Sequence, residues 1–127
     1  MCVINKWESE GFIYEASGIV TTDEIIEATE AFYNVPEGFV PRYQIVNALK
    51  VEDIYYNPVE LVNIAADDLA FSRKYPEMKI ALIAKEGPVM DNMMKYLKIS
   101  WAINNAWEFR VFSSLDAARD WLGLIPA

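Results

Sequence analysis

The chain contains no histidine and a single cysteine, Cys2. This removes Ser–His and Cys–His nucleophile pairs, the commonest general base and the commonest metal ligand. Zinc and iron–sulfur centres are left almost without ligands, so no metal and no cofactor are expected. Cys2 has no neighbouring base and reads as inert. What remains is oxygen chemistry, and two acidic pairs stand out: Glu52-Asp53 and Asp67-Asp68. Adjacent carboxylates can move a proton or hold a hard cation. Asp67-Asp68 falls mid-helix among alanines and reads as a solvated face. Glu52-Asp53 falls in a predicted strand-to-helix connection, where sites concentrate. Tyr55-Tyr56 follows at once, two aromatics that can line a pocket or pack as a staple against the next helix. Met90, Met93 and Met94 offer an adaptable apolar surface, read as core packing because Leu97 and Trp101 continue the same stripe. The five glycines form no dinucleotide or phosphate-loop fingerprint.

The elements that must position these residues are organised around residues 78–84, a short and almost continuously apolar run between Pro76 and Gly87-Pro88. Such a run reads as a strand buried on both faces of a parallel sheet. Before it, strands over 2–7 and 12–17 form a hairpin, with an extension to Ile19 and Val20 past a kink at Gly18. Thr21-Thr22-Asp23-Glu24 is a capping-box pattern opening a first helix, whose stripe runs through Ile25, Thr29 and Phe32. A third strand spans 42–49. Asn57-Pro58-Val59-Glu60 caps a second helix with Leu61, Ile64, Ala65 and Leu69 inward. Gly87-Pro88 opens a third helix, a last strand covers 107–112, and Ser113-Ser114 caps a final helix that stops at Gly123. The predicted order is β-β-α-β-α-β-α-β-α: an α/β domain over residues 1–127, with a mixed, mostly parallel sheet and an N-terminal hairpin.

Eleven basic against nineteen acidic side chains give a formal charge of −8. A surface that negative repels phosphate backbones and anionic bilayers, so no nucleic acid and no membrane are expected as partners. The N-terminal stretch lacks the basic segment and apolar run of a signal peptide, and no apolar run approaches a membrane span; a cytoplasmic protein is expected. One cysteine forbids an internal disulfide.

The hairpin ending Gly18-Ile19-Val20-Thr21, the acidic capped helix that follows, and the closing strand and helix over 111–122, with Trp121-Leu122 at their end, resemble the SpoIIAA-like group, related to the STAS domains of anti-sigma-factor antagonists. The resemblance covers nearly the whole chain by element order. It implies a non-enzymatic fold that binds a partner protein or a small ligand. In the antagonists a phosphorylatable serine sits where the strand after the first helix leads into the next helix. Here residues 51–58 hold no hydroxyl except tyrosine, and no Ser or Thr lies between Thr29 and Ser72, so that switch does not carry over.

The first reading is therefore a non-catalytic STAS-like regulatory or protein-binding module, acting through a partner protein or as a homodimer. Trp121 is assigned to the core and Trp7 to a dimer contact. The alternatives are a carrier of a small apolar, lipid-like ligand held between sheet and helices, and a carboxylate-based enzyme. The strand-to-helix connections 50–57, 85–88 and 113–114 should share the carboxyl edge of the parallel strands, and Thr21-Thr22 joins them if the second strand runs parallel to these. Helix N-termini there favour an anion, whereas Glu52, Asp53 and Glu86 oppose one. A neutral or cationic group beside Tyr55, Tyr56 and Met90 fits that rim, which is the expected functional surface in preference to the Asp67-Asp68 face.

Overall fold

The computed structural model describes residues 2–8, 10–55, 57–103 and 106–124. Strands β1 (Cys2–Trp7) and β2 (Gly11–Thr21) pair antiparallel as a hairpin. Strands β3 (Tyr43–Tyr55), β4 (Lys79–Ile83) and β5 (Glu108–Phe112) then add in parallel, giving the order β1-β2-β3-β4-β5. Helices α1 (Thr22–Tyr33), α2 (Pro58–Lys74) and α3 (Pro88–Ile103) are the crossovers. They pack over one face of the sheet, against Phe12, Tyr14, Ile80 and Leu82. Helix α4 (Leu115–Trp121) covers the other face, where Ala118 meets Ile13, Ile45, Ala81 and Ile83. The apolar run around β4 is buried on both faces, as its composition requires.

The helix starts follow the local signals. Thr21 Oγ1 accepts the Glu24 N–H at 3.4 Å while the Thr21 N–H donates to Glu24 Oε1 at 3.2 Å, a complete capping box. Asn57 Oδ1 accepts the Val59 N–H at 2.9 Å, and Ser114 Oγ accepts the Ala117 N–H at 3.1 Å. Gly18, at φ 72°, sits where the β2–β3 register shifts at a bulge in β3, and β2 continues past it to Thr21. Gly11 faces Tyr43 across the β2–β3 ladder, and a Cβ there would lie 2.5 Å from ring carbons, so no side chain fits. The Tyr43 hydroxyl in turn donates to Glu8 Oε2 at 2.7 Å. Glu8 also takes both arms of the Arg119 guanidinium, at 2.7 and 3.1 Å, which ties the first hairpin turn to α4. The guanidinium beside it holds the Glu8 carboxyl below its usual range.

Two sequence expectations are corrected. The third strand does not stop at 49: it pairs with β2 as far as Tyr55 opposite Thr21, and Glu52 is the extra residue between Val51, opposite Gly18, and Asp53, opposite Ile19. Lys50, Glu52 and Asp53 are weak strand formers, but the extended β2 offers them a ladder. On α3 the inward residues are Val89, Met93 and Ser100, with Met90 and Leu97 on the shoulder. Of the expected stripe Met90, Met93, Met94, Leu97 and Trp101, Met93 is buried and Met90 and Leu97 are partly so, while Met94 and Trp101 lie one position, about 100°, round the helix from Met93 and Ser100. Met94 and Trp101 consequently face out, Trp101 with 61% of its surface exposed. Trp7 is half-buried and packs its ring on Phe12, Phe32 and Phe39, at centroid distances of 4.9, 6.1 and 5.1 Å. It belongs to an aromatic cluster and keeps part of its surface open.

Candidate functional site

Between the helical layer and the sheet lies a partly open cavity of about 110 Å³. Its floor is β2, β3 and β4: the alternation of β2 turns Tyr14 and Ala16 to the same face as Phe12, and Val46, Ala48, Ile80 and Leu82 complete it. Ile25, Ala28 and Thr29 of α1 form one wall, and Asn92, Met93 and Tyr96 of α3 another. The small side chains Ala16, Ala28 and Ala48 leave the space that larger residues would fill. The lining is predominantly apolar, and it holds no lysine or arginine.

One carboxylate enters this wall. Asp68 of α2 is only 6% exposed. Its Oδ1 accepts the Tyr33 hydroxyl of α1 at 2.5 Å and its Oδ2 accepts the Tyr96 hydroxyl of α3 at 3.1 Å, so one side chain joins all three crossover helices. The solvated-face reading thus holds for Asp67, which is exposed, and fails for Asp68. The reason was in the spacing: Asp68 follows Ile64 and Ala65 by four and three residues and precedes buried Ser72 by four, all on one helix face. Burial pushes the Asp68 carboxyl up to about 6, against the pull of the two tyrosine donors, with the Asp67 charge adding a further upward push. Burial, then the Asp68 charge, raises the Tyr33 and Tyr96 phenols well above their ordinary range, so both stay neutral donors.

A second polar group lines the same cavity without a partner. Tyr14 is 7% exposed, and its buried hydroxyl has no hydrogen-bonding neighbour among the described residues. Burial, then the nearby Glu24 carboxylate, pushes it up to about 12. A buried hydroxyl left unpaired costs about 1–3 kcal/mol, and native structures rarely keep one without a reason.

The residues expected at the strand ends are placed differently. Glu52 is exposed at the β3 bulge. Asp53 is half-buried and its carboxylate accepts the Ile54 N–H at 2.8 Å. Tyr55, exposed, borders a shallow depression with Thr22, Ile54 and Asn57. Glu86 is exposed in the turn before α3, and Met90 is half-buried against the core. Tyr56 lies outside the described residues. Tyr55 lies eight residues past Asn47, which pairs with Ile83 at the end of β4, so it stands well beyond the β4–α3 turn that carries Glu86, and none of the five described residues lines the cavity. At the β3–α2 junction the structure brings in a hydroxyl from elsewhere in the chain. Thr22 Oγ1 donates to the Tyr55 carbonyl at 3.1 Å and accepts the Asn57 N–H at 2.9 Å, buried and fully engaged.

Among the described residues no group of three or more acidic or sulfur side chains is arranged to hold a metal ion. Nor is any described helix long and apolar enough to cross a membrane.

No protein-family model matches the chain, and no curated protein does. Among solved structures it is similar to an uncharacterized protein of the DUF3478 family with a SpoIIAA-like fold, from Shewanella loihica PV-4. The TM-score is 0.53 over 95% of this chain and 92% of that one, at 16% sequence identity. Added to a hairpin-led parallel sheet with three helices on one face and the last on the other, that likeness establishes that this chain has the SpoIIAA-like fold.

Proposed function

We propose that this protein is a non-catalytic binding module that holds a small, largely apolar molecule between its sheet and its helical layer. The observation that carries the reading is the cavity itself, with a predominantly apolar lining and, among the described residues, an unpartnered buried tyrosine hydroxyl. A two-carboxylate acid–base site is not supported, because Asp67, the carboxylate adjacent to Asp68, faces solvent and is not among the described lining residues.

Native mass spectrometry of freshly purified protein is expected to show a retained small mass. Ala48→Leu, which extends a side chain into the cavity, should abolish that mass and leave stability unchanged or raised by about 1 kcal/mol. A wild-type protein that carries nothing, combined with a loss of about 2 kcal/mol in Ala48→Leu from overpacking, would mean the space is not open to a ligand.

A second reading, regulation through self-association or a partner protein, is favoured by one observation: Trp101 is 61% exposed on α3, with Met94 also outward. Large exposed aromatics are the commonest anchors of interfaces. Under this reading the protein sediments as a dimer at micromolar concentration, and Trp101→Ala returns it to monomer with stability changed by less than about 0.5 kcal/mol. A wild-type monomer at high micromolar concentration removes the homodimer.

A further inference from the structure

We propose that the occupant of the cavity is a small primary ammonium ion carrying a compact apolar group. This rests on the cavity reading above and names the chemistry of its ligand. Asp68 is a buried carboxylate whose two described partners, Tyr33 and Tyr96, are neutral donors, and the cavity lining supplies no lysine or arginine. A carboxylate has about four lone-pair directions, so the two hydroxyls leave acceptor capacity unused. A buried anion without a counter-charge is costly, and a ligand cation is the partner that relieves it. The Tyr14 hydroxyl oxygen, buried and unpartnered, offers a second acceptor for an ammonium N–H. Tyr14, Tyr96 and Phe109 give the lining aromatic faces, which attract cations.

The same groups reject an anion. A carboxylate or phosphate head would meet Asp68, with Glu24 close to Tyr14, and find no lysine or arginine in the lining. The protein's charge of −8 works in the same direction at long range. Size follows from the volume. A cavity of about 150 Å³ admits benzene, so about 110 Å³ suits an apolar part no larger than a small ring or a short branched chain.

The test uses three probes of one shape and different charge: cyclopentylamine, cyclopentanol and cyclopentanecarboxylate, titrated at pH 7.5 by calorimetry or ligand-observed NMR. The amine is protonated there, and so is any ordinary alkylamine below about pH 10. The amine is expected to bind at least about tenfold more tightly than the alcohol, and the carboxylate not to bind, since an ion pair away from solvent outweighs a surface one. Asp68→Asn should bring the amine to the level of the alcohol, and Asp67→Asn, on the exposed side, should change nothing. Tyr14→Phe should weaken the amine severalfold.

At pH 5 the amine preference should fade as Asp68 takes up a proton. The groups around Asp68 are Tyr33 from α1, Tyr96 from α3 and Asp67 on its own helix, and neither phenol titrates near that pH. Equal binding of amine and alcohol to the wild type overturns the ammonium inference and leaves the cavity reading standing. Binding of none of the three overturns both. Loss of the preference in Asp67→Asn as well as in Asp68→Asn would show surface ion pairing and also overturn it. If Asp68→Asn does not fold, the wild-type ranking of the three probes decides alone.

Discussion

Replacing Phe32 by alanine should cost about 4 kcal/mol of stability. Its ring is 1% exposed and lies within 5.0–6.3 Å, centroid to centroid, of Trp7, Phe12, Tyr33, Phe71 and Trp107. Those five come from β1, β2, α1, α2 and the turn before β5, so the ring joins the hairpin to the helical layer at the amino end of the parallel strands. Truncation removes the transfer energy of a phenyl group and leaves a hole among rigid aromatics that cannot collapse into it. For a domain of this size the melting temperature should fall by about 15 °C. Denaturant titration gives the free energy directly. A loss below about 1 kcal/mol would show that the neighbouring rings close the gap and that the cluster is not rigid. Val40→Ala, at a residue 67% exposed, is the control and should change stability by less than about 0.5 kcal/mol.

The second large effect is one of pH. The folded protein holds the Asp68 carboxyl at about 6, above its ordinary 3.8. The folded state therefore binds more protons than the unfolded chain between these values, and stability from this group falls as pH rises from about 4 to 6. Above pH 6 it stays lowered, by at most about 3 kcal/mol for a shift of roughly two units. Asp68→Asn keeps an oxygen for Tyr33 or Tyr96 and removes the charge. The variant is expected to match the wild type near pH 4 and to exceed it at pH 8 by about 1–3 kcal/mol. The difference between the two curves isolates Asp68 from the other acidic groups. Parallel curves from pH 4 to 8 would show that the carboxyl titrates normally and that its site is wetter than its burial indicates. The sign matters for function. A natural protein that would be more stable without a buried charge at neutral pH keeps that charge for some purpose other than stability.

Much of this fold was legible in the chain because its signals are local. Thr21 and Glu24 meet within one turn, and Asn57 and Ser114 cap their helices with their own side chains. The 78–84 run reads as buried because no polar residue interrupts it beyond Lys79. What escaped the sequence depends on neighbours distant in the chain. Lys50, Glu52 and Asp53 look like a loop until β2, itself prolonged through Gly18, supplies the other half of the ladder. The inward face of α3 carries Tyr96 and Ser100, polar residues that break an apolar stripe, so the more hydrophobic line through Met94 and Trp101 read as the core. Asp68 sat on a visible helical face with Ile64 and Ala65. Only Tyr33 and Tyr96, 35 and 28 residues away, make a carboxylate tolerable there.

The strand order sets how the molecule can assemble. Spatial order follows chain order from β1 to β5, so every ladder joins strands separated by one turn or one helix. No long stretch of chain has to close on itself before neighbouring strands can pair, which lowers the entropic barrier that makes parallel sheets slow to form. The sheet can grow by successive addition from either end. The Glu8–Arg119 pair is the opposite case: its members are 111 residues apart, and it can form only once the first hairpin and the last helix are both in place. It acts as a latch on a finished sheet, while the ladders beneath it join strands much nearer in the chain.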